Sequence, residues 1–223
     1  RDAFLLDIHF AHQCLALREL RIDLPAHLQR QRLLLVLELL PLLAQLQLLG
    51  AQLRGVVEEI DPNPEVGWFR SRYREFWRAY ADCVVVAVGG GSSMDSAKAV
   101  SLLIGNGGTF IEYTQRRTGA DWAPAKVASK KGPDVITVPT TSGTGAEATS
   151  GCGVLDPESG IKLWAGGPYV RPTVALCDPA LTTSMPPKVT ADTGFDALSQ
   201  GIEGVLTLQA NPYADTLLLT AIE

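Results

Sequence analysis

Residues Cys83 to Leu103 read CVVVAVGGGSSMDSAKAVSLL. Val84 to Val88 form an apolar run short enough for one buried parallel strand. Three glycines, Gly89, Gly90 and Gly91, and two serines, Ser92 and Ser93, follow it. Beyond them Met94, Ala97, Val100 and Leu103 recur at helical spacing. A strand feeding a glycine turn that opens a helix gathers backbone N–H groups and the positive helix end at one point. An anionic phosphate fits there, and glycine lets its oxygens approach the backbone closely. Ser92 or Ser93 is placed to cap the helix, and Asp95 is expected in its first turn, where a carboxylate suits the dipole. The spacing is neither G-x-G-x-x-G nor a P-loop. Two readings stand at this point: a phosphate cradle, or a βα turn that needs glycine for its shape.

The flanking sequence narrows the choice. The chain has 223 residues, 46% hydrophobic and 19% charged, which reads as globular with a substantial core. A net charge of −5 and a pI near 5.3 leave no basic footprint for nucleic acid. Cys14, Cys83, Cys152 and Cys177 are scattered, without a C-x-x-C pair or a secretory leader, so reduced thiols and a cytoplasmic location are expected. Leu33 to Leu53 is rich in leucine, but Glu38, Pro41, Gln45, Gln47 and Gln52 interrupt it. A membrane span needs about 20 apolar residues with few charges, so a buried strand over Leu33–Leu37 and a helix after Pro41 are expected instead.

That first strand ends at Glu38, where an α/β fold can turn a carboxylate towards ribose hydroxyls, or simply towards solvent. Val56 to Ile60 reads as a second strand, stopped by Asp61-Pro62-Asn63-Pro64. Val66 to Tyr80 carries aromatic residues at mixed helical spacing among arginines, the pattern of a core-facing helix with a solvated side. Asn106 to Lys131 is rich in Gly, Thr and charge and reads as an irregular crossing. His9, His12 and His27 are the chain's histidines, and no Cys or carboxylate cluster accompanies them.

Asp134 to Val138 is another short apolar strand, and it runs into PTTSGTGAEAT, Pro139 to Thr149. Hydroxyls and glycines crowd the carboxyl end of that strand, where open α/β sheets bind ligands. Ser and Thr supply neutral donors and acceptors for a diphosphate or an amide. The alternative is a polar turn in which Thr144 caps a helix beginning near Ala146. Strands are expected again at Ser150–Leu155, Lys162–Trp164 and Thr173–Cys177. Strands alternating with helices predict a doubly wound, mainly parallel, Rossmann-like α/β sheet. After Ser184-Met185-Pro186-Pro187 the pattern turns helical: Val189–Thr193, Phe195–Leu208 and Pro212–Ile222. The predicted organisation is an α/β dinucleotide-binding domain over residues 1–183, then the start of an all-helical domain over 184–223.

In order along the chain, Pro62-Asn63-Pro64, GGGSSMDSAK (89–98), PTTSGTGAEAT (139–149), DPALT (178–182), TADTGFDALSQGIE (190–203) and NPYADTLLLTAIE (211–223) resemble the iron-activated, group III alcohol dehydrogenases. Lactaldehyde reductase and glycerol dehydrogenase are relatives in that family. The resemblance implies that Gly90, Gly91 and Ser92 hold the diphosphate of NAD. It also implies Thr140, Thr141 and Thr144 along the nicotinamide side, and Lys162 and Leu181 beside the adenosine. Asn63 and Asp95 complete the cofactor set. Glu38 would favour NAD over NADP, whose 2′-phosphate would meet like charge.

The resemblance further implies a divalent metal, Fe²⁺ or Zn²⁺, with Asp196 as one ligand and the residue four later as a second on the same helix face. The family usually has histidine there, and this chain has Gln200, a weaker amide ligand. The family's remaining histidine ligands are expected beyond Glu223, in a longer polypeptide. The implied reaction interconverts a primary alcohol or small polyol with its carbonyl, using NAD(P) and a Lewis-acid metal. The partners expected are a small alcohol or aldehyde and further copies of the chain, with no nucleic acid and no membrane. A dehydroquinate-synthase-like lyase would want more basic residues in the helical part. A nucleotide-binding fragment or pseudo-enzyme would account for Gln200.

Overall fold

The fold was read from a computed structural model that describes positions 54, 57 and 60 and residues 63–69, 77–118, 121–208 and 210–223. The first βα unit, with Leu33–Leu37, Glu38 and Pro41, lies outside the described residues, as do His9, His12 and His27, most of Val56–Ile60 and all of 70–76.

Three strands form a parallel sheet in the order β1 (Val85–Gly89), β4 (Val135–Pro139), β7 (Val174–Ala175). Val85 is level with Val135 and Gly89 with Pro139, while Ile136 is level with Val174. Parallel order forces each strand to return through a crossover, and β1 does so through helix α1 (Gly91–Asn106). Residues Met94 to Leu103 of α1 are all buried. One side of the helix packs Met94 and Ala97 against Ala87 and Val135 of the sheet. Another packs Ala99, Val100, Leu102 and Leu103 with Phe69, Phe110, Tyr113 and Val154. A buried Leu or Val stabilises by about 1.5–3 kcal/mol, which makes this doubly covered helix the main strut of the fold.

The sheet differs from the expectation of strands buried on both faces. Ala87 is buried, but Val84, Val86, Val174 and Leu176 are exposed. The register puts them on the face opposite Ala87 and Val135, and α1 can cover only one face.

The span expected as an irregular crossing is ordered. A 3-10 turn, Phe110–Tyr113, is held by a reciprocal cap between Thr109 and Glu112. The Thr109 N–H donates to Glu112 at 2.6 Å and holds that carboxyl below its usual range. β2 (Gln115–Thr118) and β3 (Asp121–Pro124) then pair antiparallel. A second antiparallel pair, β5 (Gly151–Asp156) with β6 (Ile161–Gly166), packs on α1 rather than joining the parallel sheet. The 66–69 turn is helical, with Phe69 buried and stacked on Phe110 at 5.9 Å, while Trp77–Tyr80 is a 3-10 turn.

After β7, Asp178 accepts from the Ala180 N–H at 2.9 Å and caps the 3-10 turn Pro179–Thr182. Helix α2 (Pro187–Leu206) runs unbroken through Gly194, where two shorter helices were expected. Helix α3 (Pro212–Ile222) packs against it, capped by Asn211, which accepts from Ala214 N–H at 2.9 Å. Among the described residues no helix is long and apolar enough to cross a membrane. Cys152 is buried, Cys83 half-buried and Cys177 exposed, and all three are free thiols.

Candidate functional site

Because β1 and β4 are adjacent and parallel, their carboxyl ends stand side by side and release two loops at one edge. One is the glycine turn at 89–91, the other Thr140–Thr149. The Thr140 N–H donates to Gly89 O at 2.9 Å, so the second loop starts pinned to the first. Gly89 has φ +146°, a conformation that side chains strongly disfavour. Only Gly90 separates the strand from the helix, and it is the N-cap, with no side-chain cap bond. This corrects the expectation that Ser92 or Ser93 caps α1, since both lie inside its first turn. Asp95 correspondingly falls past that turn.

The absence of side chains at Gly90 and Gly91 brings the two loops into contact. A Cβ at Gly90 would stand 3.2 Å from Thr141 Cγ2, and one at Gly91 would stand 3.2 Å from Thr144 Cγ2. The first-turn N–H groups of α1 have no partner within the helix. They point into an edge whose neighbours are hydroxyls. Thr141 Oγ1 is buried without a hydrogen-bond partner, while Thr144 Oγ1 accepts from the Ala146 N–H at 3.3 Å. Residues 146–148 form a turn, not the helix considered for this position. Orphaned donors at a helix start, an unsatisfied hydroxyl and glycine backbone with no side-chain cover suit the diphosphate of a dinucleotide.

Asn63 joins this mouth. It has φ +57°, and its N–H donates to Ser92 Oγ at 3.1 Å. Leu181 lies in the 3-10 turn after β7, at the same carboxyl edge, half-buried. Lys162 stands on β6, level with Leu155, its stem lying over Gly153. Asp95 does not open onto the mouth. It is 8% exposed, accepts from the Gly153 N–H at 2.9 Å and faces the Lys98 ammonium at 3.0 Å.

Asp196 and Gln200 share one face of α2, one turn apart, and bond to each other: Gln200 Nε2 donates to Asp196 Oδ2 at 3.0 Å. Among the described residues no group of three or more His, Cys, Asp or Glu gathers as a metal site. A carboxylate and an amide supply two donors of a tetrahedral or octahedral shell, so Asp196 and Gln200 make part of a divalent-metal site and not a complete one.

Two relationships were invisible in the sequence. Gly143, at φ +132°, lies directly against the Thr193 carbonyl of α2 and ties the threonine loop to the helix carrying Asp196. Lys98 is fully buried and binds the far end of the same loop at Thr149. A lysine in an apolar helix pattern gave no hint of its partners.

Residues 30–179 match the iron-containing alcohol dehydrogenases in a comparison with known protein families. Choline dehydrogenase of Bacillus subtilis is 38% identical over 165 residues, 74% of this chain and 39% of that protein. 4-Hydroxybutyrate dehydrogenase of Cupriavidus necator is 37% identical over 169 residues, 76% of this chain and 42% of that protein. The crystal structure of sulfoacetaldehyde reductase from Bifidobacterium kashiwanohense in complex with NAD+ superposes with a TM-score of 0.59 at 34% identity, covering 74% of this chain and 41% of that one. The chain thus spans about two fifths of the length of these relatives.

Proposed function

Since the chain belongs to the iron-containing alcohol dehydrogenase family, we propose that its two loops hold a nicotinamide dinucleotide for reversible oxidation of a primary alcohol or small polyol. The observation that carries this reading is the seating of Gly90 and Gly91 on Thr141 and Thr144 at the shared carboxyl edge of β1 and β4.

In this proposal the first turn of α1, with Gly90, Gly91 and Ser92, binds the diphosphate through backbone N–H groups and the helix dipole. Asn63 orients Ser92 by donating to its Oγ. Thr140, Thr141 and Thr144 line the path towards the nicotinamide with uncharged donors and acceptors. Leu181 and Lys162 flank the adenosine half, and Glu38 selects NAD over NADP. The bound dinucleotide supplies the hydride acceptor or donor, and the protein supplies orientation and field. No step is assigned to a metal on Asp196 and Gln200. The α/β part is proposed to end near residue 183, with α2 and α3 opening a helical domain. The proposed setting is cytoplasmic, with a small alcohol or aldehyde as substrate and copies of the chain as partners.

A second reading, dinucleotide binding without turnover, is supported by one observation: the Asp196 carboxylate is already engaged by the Gln200 amide. Titration of the protein with NADH, followed by the fluorescence of the reduced nicotinamide, tests the shared premise. Saturable binding that Gly90→Val abolishes is the expected result, and no saturation would refute both readings. Aldehyde reduction with and without added Fe²⁺ or Zn²⁺ then separates them.

A further inference from the structure

The Lys98 side chain is fully buried, and its ammonium has three N–H donors. Gly151 O at 2.7 Å and Thr149 Oγ1 at 3.0 Å accept hydrogen bonds from it, and Asp95 Oδ1 faces it as the opposite charge at 3.0 Å. Asp95 Oδ2 accepts from the Gly153 N–H at 2.9 Å. Burying an ammonium is expensive, and breaking a buried pair leaves an uncompensated charge, so the geometry around Lys98 is tightly constrained.

These contacts cover one edge of one strand. Gly151, Gly153 and Leu155 alternate along β5 and present their backbone groups to the same side. Lys98 takes the first, Asp95 the second, and the Leu155 N–H donates to Pro64 O at 2.8 Å. Pro64 follows Asn63, whose N–H binds Ser92 Oγ on α1. The edge of β5 is therefore held from α1 and from the 63–64 segment.

The third Lys98 contact leads elsewhere. Thr149 closes the threonine loop: the Ala148 and Thr149 N–H groups both donate to Gly145 O, at 3.0 and 3.1 Å. Gly145 adjoins Thr144, which packs on Gly91. The loop's start is fixed separately by Thr140 N–H on Gly89 O. We propose that Lys98 is a positioning residue: through Thr149 it fixes the far end of the threonine loop, and so sets where Thr144 stands against Gly91 at the dinucleotide mouth. Only its functional half rests on the dinucleotide reading above. Lys98 itself touches no ligand in this scheme.

Thr149→Val keeps the side-chain shape and removes the hydroxyl, leaving Lys98 with Asp95 and Gly151. Thr149→Ser keeps the hydroxyl and serves as the conservative rescue. Amide hydrogen exchange over residues 140–149, referenced to β1, reads the loop without any ligand. NADH titration reads the mouth. Thr149→Val should speed exchange in the loop about tenfold and weaken NADH binding by about the same factor, with β1 unchanged, and Thr149→Ser should do neither. Unchanged loop exchange in Thr149→Val overturns the proposal. Faster exchange with unaltered NADH affinity overturns its functional half. If the unmodified protein fails to bind NADH, the dinucleotide reading falls, and the exchange comparison still decides the clamp. Lys98→Met should lose the same protection more severely, and retention of loop protection in that variant counts against the proposal as well.

Discussion

Gly143 rests against the carbonyl oxygen of Thr193, where its own Cβ would have to stand. Its φ of +132° is closed to ordinary side chains, so local strain and tertiary contact demand glycine independently. Gly143→Ala should therefore cost about 2 kcal/mol or more, from backbone strain plus displacement of α2 from the loop. A lower urea midpoint with an unchanged m-value is the expected result. A midpoint within error of the unmodified protein would show that loop and helix part without cost.

Gly91 offers the opposite balance. It is the first residue of α1, where alanine is a better helix former, and its Cβ would press on Thr144 at 3.2 Å. At this first helical position the propensity gain is smaller than the roughly 0.5–1 kcal/mol of a helix interior, and it is set against a displacement of a few tenths of an ångström. Gly91→Ala should thus leave stability nearly unchanged while narrowing the loop contact. NADH affinity is expected to fall about tenfold, or 1.4 kcal/mol, in the same fluorescence titration. Equal affinity would remove Gly91 from the proposed diphosphate cradle.

The contrast between these two glycines marks what the sequence could reveal. Gly89 to Gly91 follow an apolar strand and open a helical pattern, so their place was legible from local chemistry alone. β1, β4, β5 and the start of α3 were legible for the same reason, since apolar runs and the Asn211-Pro212 signal are local. Contacts between distant segments left no local trace. The pairing of β5 with β6 is a local hairpin closed by the 157–160 turn, whereas the seating of that hairpin on α1, apart from the parallel sheet, is a long-range contact. The capping of α1 by Gly90 instead of Ser92 or Ser93 reflects a tight strand-to-helix junction. Gly194 separates the expected helical segments Val189–Thr193 and Phe195–Leu208, and α2 joins them through it, because packing of α2 against α3 outweighs the modest helix penalty of one glycine. The burial of Lys98 likewise depends on β5 lying alongside α1.

Asp134 gives a pH-dependent handle on the sheet. Its carboxylate is bound by the Lys131 ammonium and accepts from Thr173 Oγ1 at 2.8 Å, just ahead of β7. The Lys131 bond first, then that of Thr173, hold the carboxyl below the ordinary aspartate value. The folded protein therefore binds this proton less readily than the unfolded chain does. The contribution is fully present above about pH 4 and is lost as pH falls through the lowered value. The group is exposed, so the effect is small and partly screened by salt. Urea midpoints of the unmodified protein and Asp134→Asn should differ at pH 6 and converge as acid is added. A gap that persists to about pH 2 would exclude this linkage.

Gln200 and Asp196 lie one helical turn apart on the same face of α2, the spacing at which two side chains can meet one ion. At present the amide N–H of one satisfies the carboxylate of the other, and an amide oxygen is a poor partner for Zn²⁺ or Fe²⁺. Gln200→His would replace it with an imidazole, a ligand that both metals accept. The pair would then supply two good donors, still short of a complete shell. Zn²⁺ affinity, measured by competition with a chromophoric chelator, should rise about tenfold, or 1.4 kcal/mol, over the unmodified protein. Asp196→Asn in the Gln200→His background should return it to the starting value, because the gain needs both donors. If Gln200→His leaves Zn²⁺ affinity unchanged, the two side chains do not converge on one point, and this face of α2 is not a metal-binding face.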